Sequence, residues 1–150
     1  MYKGEEVKIL GVGTILEKDG KVLMIEESLS HAEIGKSSNM LAYPLETVKS
    51  NESVSNAAER GFMEEVGLSI KVKYIVGFYQ FKGGFGVSFA GSLLEQGEIN
   101  INAEEISKYS WLSKDDILAY PNLRPGVRES ITDYFAGQQY PLEIITSVTK

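Results

Sequence analysis

The apolar and polar positions of this chain sort into short strand-like blocks interrupted by one clear helical stripe. Val7 to Leu16 and Lys21 to Glu26 are β-rich, and the intervening Glu17-Lys18-Asp19-Gly20 carries an Asp-Gly pair, so the pattern predicts an antiparallel hairpin. Ser28 to Met40 is polar, contains glycine and has no dominant period, as expected of a loop. Leu41 to Val48 reads as a short strand followed by a turn. The helix is predicted over about 54–66: Ala58, Phe62 and Val66 recur every fourth residue, Ser53 or the preceding polar residues cap the start and Gly67 stops the end. Ile70 to Phe81 and Val87 to Leu94 are further strands, joined by Lys82-Gly83-Gly84-Phe85-Gly86. Tyr109 to Leu112 forms a short strand leading to Ser113, a helix cap with Asp116 three residues on. Pro125 opens a last helix that Gly137 closes.

Strands outnumber helices, and the helices are inserted among hairpins, so the expected class is α+β or mixed α/β. At 150 residues, with no internal repeat or linker, one domain over 1–150 is the simplest organisation.

Composition narrows the chemistry. A hydrophobic share of 43% and a charged share of 24% are ordinary for a globular protein. The net charge of −6 argues against a nucleic-acid partner, although a divalent ion can bring polyphosphates to an acidic protein. The absence of cysteine excludes disulfides, thiolate metal sites and a cysteine nucleophile. Apolar runs are too short to span a bilayer, and Met1 to Leu16 has no signal-like apolar core, so no membrane partner and a cytoplasmic location are expected.

One segment carries concentrated chemistry. On a helix, positions 61, 64 and 65 share an arc of about 100°, and two of the three are carboxylates, Glu64 and Glu65. Adjacent carboxylates repel, and need a cation, an arginine or open water. Magnesium answers that need and also binds phosphates.

The spacing of Glu52, Arg60, Phe62, Glu64, Glu65, Gly67 and Leu68 resembles the signature of the Nudix (MutT-like) hydrolases. That signature has a glycine, five residues, a glutamate, seven residues, Arg-Glu, a hydrophobic residue, any residue, Glu-Glu, any residue, glycine and a hydrophobic residue. Two positions depart: Glu46 stands at the first glycine and Gly61 at the glutamate after the arginine. Pro44-Leu45-Glu46 sits where Pro-Gly-Gly is usual, and Glu104 to Leu112 resembles the family's acidic loop and following strand. The resemblance implies a Nudix α/β/α sandwich built on a mixed sheet.

It also implies a metal-dependent pyrophosphohydrolase. Glu64 and Glu65 would ligate Mg2+ or Mn2+, the carbonyl of Leu45 would add an oxygen, and Glu52 with Arg60 would organise the preceding loop. The substrate would be a small nucleoside diphosphate derivative, and a homodimer is compatible with the family. Gly61 removes a common ligand and base. Glu46 could bring a carboxylate to the metal from the loop, with some distortion of the backbone at Leu45. Glu98, Glu104 or Glu105 could supply a base from outside the helix. Alternatively, hydrolysis is lost and the fold binds a nucleotide or metabolite as a regulator. Glycine in mid-helix costs about 1 kcal/mol against alanine, and drift after loss of a ligand is one explanation for it. Gly61→Glu is expected to raise activity or metal affinity.

Other features read as structural. Lys82 to Gly86 lacks the strand-loop-helix context of a phosphate cradle and is expected to be a hairpin turn. His31, the single histidine, reads as a loop residue, and Trp111 as core. Tyr79 and Phe81 either pack or stack on a base.

Overall fold

The computed structural model describes residues 9–28 and 40–148. His31, most of the polar stretch around it and the first two residues of the predicted N-terminal strand lie outside those residues.

The predicted hairpin forms from β1 (Ile9–Lys18) and β2 (Lys21–Glu27). Its turn is only two residues, because Asp19 and Gly20 both take positive φ, 54° and 79°, and Lys18 already pairs with Lys21. Leu41 to Val48 is not one strand but two, β3 (Leu41–Ala42) and β4 (Leu45–Thr47), broken at Tyr43-Pro44. The break lets β3 pair with β2 while β4 crosses to pair with β1. Proline lacks the N–H that a continuous ladder would need.

Helix α1 (Val54–Val66) has the predicted bounds. Ser53 accepts the Asn56 N–H, and Gly67 closes the end at φ 75° with its N–H on the Met63 carbonyl. After it come β5 (Ile70–Phe81) and β6 (Gly84–Leu93), joined by Lys82-Gly83 alone. Three residues of the expected glycine-rich turn are therefore strand. Gly86 pairs beside Gly11, where β6 runs parallel to β1. The next strand, β7 (Ile106–Leu112), starts three residues before the prediction because Ile106 is drawn into pairing with the end of β2. Ser113 caps α2 (Lys114–Ala119), and α3 (Val127–Phe135) follows Gly126.

The strands make one mixed sheet with the order β3-β2-β1-β6-β5, β4 adding to β1 and β7 to β2. Alternation along each strand divides the core. Phe62, Val66 and Ala58 of α1 pack on Leu16, Leu23, Val12 and Phe89 on one face. Ile117 of α2 with Val127 and Ile131 of α3 pack on Ile15, Val22 and Met24 on the other. This is the α/β/α sandwich the resemblance implied. Among the described residues no helix is long and apolar enough to cross a membrane.

The junction between β3 and β4 is tied down from behind. The buried Tyr43 hydroxyl donates to Ser130 Oγ at 2.7 Å and meets Ser88 Oγ at 2.6 Å, linking α3 and β6 to the chain just before Leu45.

Candidate active site

The packed face of α1 comprises Ala57, Ala58, Gly61, Phe62 and Val66, so Glu64 and Glu65 fall beside it on the side of β4. Glu64 is half exposed, and Glu65 is partly buried. Glu65 Oε1 accepts the Leu45 N–H at 3.1 Å, which ties the end of the helix to the first residue of β4.

Arg60 organises the rest. Its Nη2 and Nε meet Glu52 Oε1 and Oε2 at 2.6 and 3.0 Å, a bidentate pair, while Nη2 also donates to the Thr47 carbonyl at 3.1 Å. Its Nη1 reaches Glu64 Oε2 at 3.0 Å and Glu46 Oε2 at 3.2 Å. Glu52 Oε1 in addition accepts the Lys49 N–H at 2.8 Å, closing the loop between β4 and α1. Donation from Arg60, then from the Lys49 amide, holds the Glu52 carboxyl down to about 2. The same bond to Glu52 raises the guanidinium above its ordinary value, so Arg60 stays charged. Through these bonds Arg60 and Glu52 link α1 to Thr47 and Lys49 in the preceding segment.

Glu46 does not distort the backbone. It sits in regular antiparallel register with Val12, and Asp19 is the one non-glycine residue with positive φ among those described. Its side chain instead lies across Gly61: a Cβ built there would stand 2.5 Å from Glu46 Cβ and 2.8 Å from its Cγ. The space left by Gly61 is thus taken by the Glu46 stem. Gly61→Glu cannot be accommodated beside Glu46 without displacing it.

The acids outside the helix are distributed around the next loop. Asn100 and Asn102 donate their N–H groups to the Val66 and Glu65 carbonyls, which docks this loop on the C-terminal end of α1. Beyond it, the Glu105 carbonyl accepts the Ser28 N–H and the Glu104 carbonyl accepts the Ser28 hydroxyl. Glu105 is partly buried and Glu104 exposed. Glu98 is exposed and lines a hollow with Lys18, Tyr109 and Trp111 that includes none of the Arg60 cluster. Trp111 is only partly buried, packing at the margin of the core.

Two site features had no signal in the sequence. Thr47 contributes a carbonyl, which every residue has, and Leu45 acts through its N–H rather than only the carbonyl expected of it. Glu26 and Glu27 are buried at the end of β2 and bonded to Tyr120, Lys108 and Arg124. Two acids closing an apolar strand were the available clue. Tyr79 and Phe81 line a hollow of about 480 Å³ with Phe78, Arg124 and Arg128, and the Tyr79 hydroxyl donates to Asp133 at 2.8 Å.

The profile of the NUDIX domain matches residues 7–134 of this chain. The chain belongs to the Nudix family. It is 31% identical over 140 residues to "Phosphatase NudJ" of Escherichia coli strain K12, covering 89% of this chain and 88% of that protein. Its fold matches a NUDIX hydrolase from Nitrosomonas europaea with a TM-score of 0.78 at 26% identity, over 93% of this chain and 97% of the other. The E. coli ORF135 protein shares the fold, with a TM-score of 0.68 at 23% identity over 85% and 89% of the two chains.

Nudix hydrolases generally use divalent metals, and the donors of this Nudix chain suit such an ion in kind. Glu46, Glu64 and Glu65 with the Leu45 carbonyl are all hard oxygen donors. Three carboxylates around the one Arg60 guanidinium leave two negative charges in excess, before Glu65 is added. A divalent cation offsets such an excess. Among the described residues, no three acidic or histidine side chains stand close enough to make a ready-formed cage. Ion binding would therefore draw carboxylates away from Arg60.

Proposed function

We propose that this protein is an active Nudix hydrolase that cleaves the diphosphate linkage of a small nucleoside diphosphate derivative with Mg2+ or Mn2+. The observation that carries this reading is the intact loop-helix frame, in which Arg60 holds Glu52 and Glu64 and Glu65 holds the Leu45 N–H.

Glu64, Glu65 and the Leu45 carbonyl would hold the ion. When bound, it would offset charge on the phosphate oxygens and make a bound water more acidic. Arg60 and Glu52 position these donors and do not themselves touch the reacting atoms. Glu105, the partly buried one of the three acids outside the helix, would be the base that takes the proton of the attacking water on a carboxylate oxygen. The aromatic and basic hollow at Phe78, Tyr79, Phe81, Arg124 and Arg128 is lined by none of Leu45, Glu64, Glu65 or Glu105, and no part of the substrate is assigned to it.

The second reading, a nucleotide-binding protein without turnover, is favoured by Gly61 in place of the signature glutamate. Turnover of a panel of ADP-ribose, dinucleoside polyphosphates and nucleotide sugars, with and without Mg2+ or Mn2+, separates the two. Metal-dependent product release supports hydrolysis. Ligands that raise the melting temperature without being consumed support the binder.

A further inference from the structure

We infer that Glu46 and Gly61 have exchanged parts, so that the carboxylate missing from α1 at position 61 is supplied to the divalent ion from β4 at position 46. This deepens the metal-dependent reading above and rests on it.

Glu46 and Gly61 are the two departures from the signature, and the fold puts them against each other. The Glu46 stem occupies the volume that a side chain at 61 would need, with its Cβ 2.5 Å from the missing Cβ. Its carboxylate stays beside that position: Oε2 stands 3.4 Å from the built Cβ and 3.2 Å from Arg60 Nη1. Glu46 Oε1 accepts the Thr47 N–H at 2.8 Å, so the carboxylate is oriented from its own strand.

The neighbours are the acids already assigned to the ion. Arg60 Nη1 bonds both Glu46 and Glu64, which brings those two carboxylates to one nitrogen. Glu65, one turn after Gly61, is bonded to the residue immediately before Glu46. Glu46 and Glu64 thus meet at Arg60 and Glu65 meets the neighbouring Leu45, at the contact of β4 with α1 and without forming a ready-made cage among the described residues. Glu46, Glu52 and Glu64 share one guanidinium, and a divalent cation would offset the negative charge this leaves over.

Neither residue can change alone without loss. A glutamate restored at 61 collides with the Glu46 stem, and a glycine restored at 46 removes the carboxylate. Both changes together rebuild the signature arrangement.

The test is Mn2+ binding, followed by the EPR signal of free Mn2+ and by the Mn2+-induced rise in melting temperature. Wild type, Glu46→Gln, Glu46→Gly, Gly61→Glu and Glu46→Gly/Gly61→Glu are compared. Glu46→Gln and Glu46→Gly should each weaken binding at least about tenfold, since even residues outside the ligand set carry roughly 10–100-fold. The double variant should recover binding to within about threefold of wild type by replacing one ligand with another. Gly61→Glu alone should not exceed wild type. Glu46→Gln binding Mn2+ as tightly as wild type overturns the exchange, as does a double variant no better than Glu46→Gly. A wild-type protein that neither binds Mn2+ nor turns over any substrate overturns this inference and the hydrolase reading together. Binding and turnover in wild type with an indifferent Glu46→Gln overturn the exchange alone.

Discussion

The Arg60 guanidinium meets the Glu52 carboxylate along one edge, Nη2 to Oε1 at 2.6 Å and Nε to Oε2 at 3.0 Å, and so fixes the loop that delivers β4 to α1. A lysine has one nitrogen where arginine has a planar fork, so it cannot make this pair while also holding Glu64 and the Thr47 carbonyl. Arg60→Lys should lower the melting temperature by about 3–6 °C and reduce turnover, despite its unchanged charge. Thermal unfolding and steady-state rates at neutral pH check this. A variant with wild-type values in both would show that the fork has no organising role.

Glu52 supplies a pH signature. Its folded carboxyl is held at about 2, below the ordinary 4.5, so the unfolded chain binds its proton more readily than the fold does. The stabilisation from this group is thus present above about pH 4.5 and is lost as pH falls toward 2. The melting-temperature difference between wild type and Glu52→Gln should be constant near neutrality and shrink through that window. A difference that persists undiminished to the bottom of the window contradicts the assignment.

Gly61 and Glu46 predict a reversal of sign. Alanine is about 1 kcal/mol better than glycine inside a helix, but its Cβ at 61 meets the Glu46 stem at 2.5 Å. Gly61→Ala should destabilise the wild-type protein. In a Glu46→Gly background, the same change should stabilise by about 1 kcal/mol. Urea unfolding of the four proteins gives the cycle, and the same sign in both backgrounds would remove the steric explanation.

Glu64→Gln and Glu65→Gln should each reduce metal-dependent turnover by at least about 10²-fold if they hold the charge-offsetting ion. Their structural effects should differ. Glu65 also accepts the Leu45 N–H, which a glutamine oxygen can still do, whereas Glu64 is half exposed on Arg60. Both variants should therefore stay folded by circular dichroism while losing rate. Undiminished rates in both would reject the metal assignment.

Tyr43→Phe tests the anchor behind the site. Losing the hydroxyl removes its bonds to Ser88 and Ser130 at the buried junction before β4, at a cost of about 1–2 kcal/mol. Denaturant unfolding measures it directly. A change within error would mean that the two serines satisfy themselves without Tyr43.

The chain alone specified what depends on near neighbours. The α1 bounds, the Ser53 and Gly67 caps, the Asp19-Gly20 turn and the signature spacing of Glu52, Arg60, Glu64 and Glu65 all lie within a few turns of backbone, so period and residue type suffice to find them. Tertiary structure decided what depends on two segments meeting. The split of β3 from β4 comes from pairing with different strands, and the Leu45 N–H reaches Glu65 across 20 positions. The place of Glu46 over Gly61 belongs to the same class. Read along the chain, these two residues are separate faults in a motif; only packing β4 against α1 places one side chain in the space the other lacks.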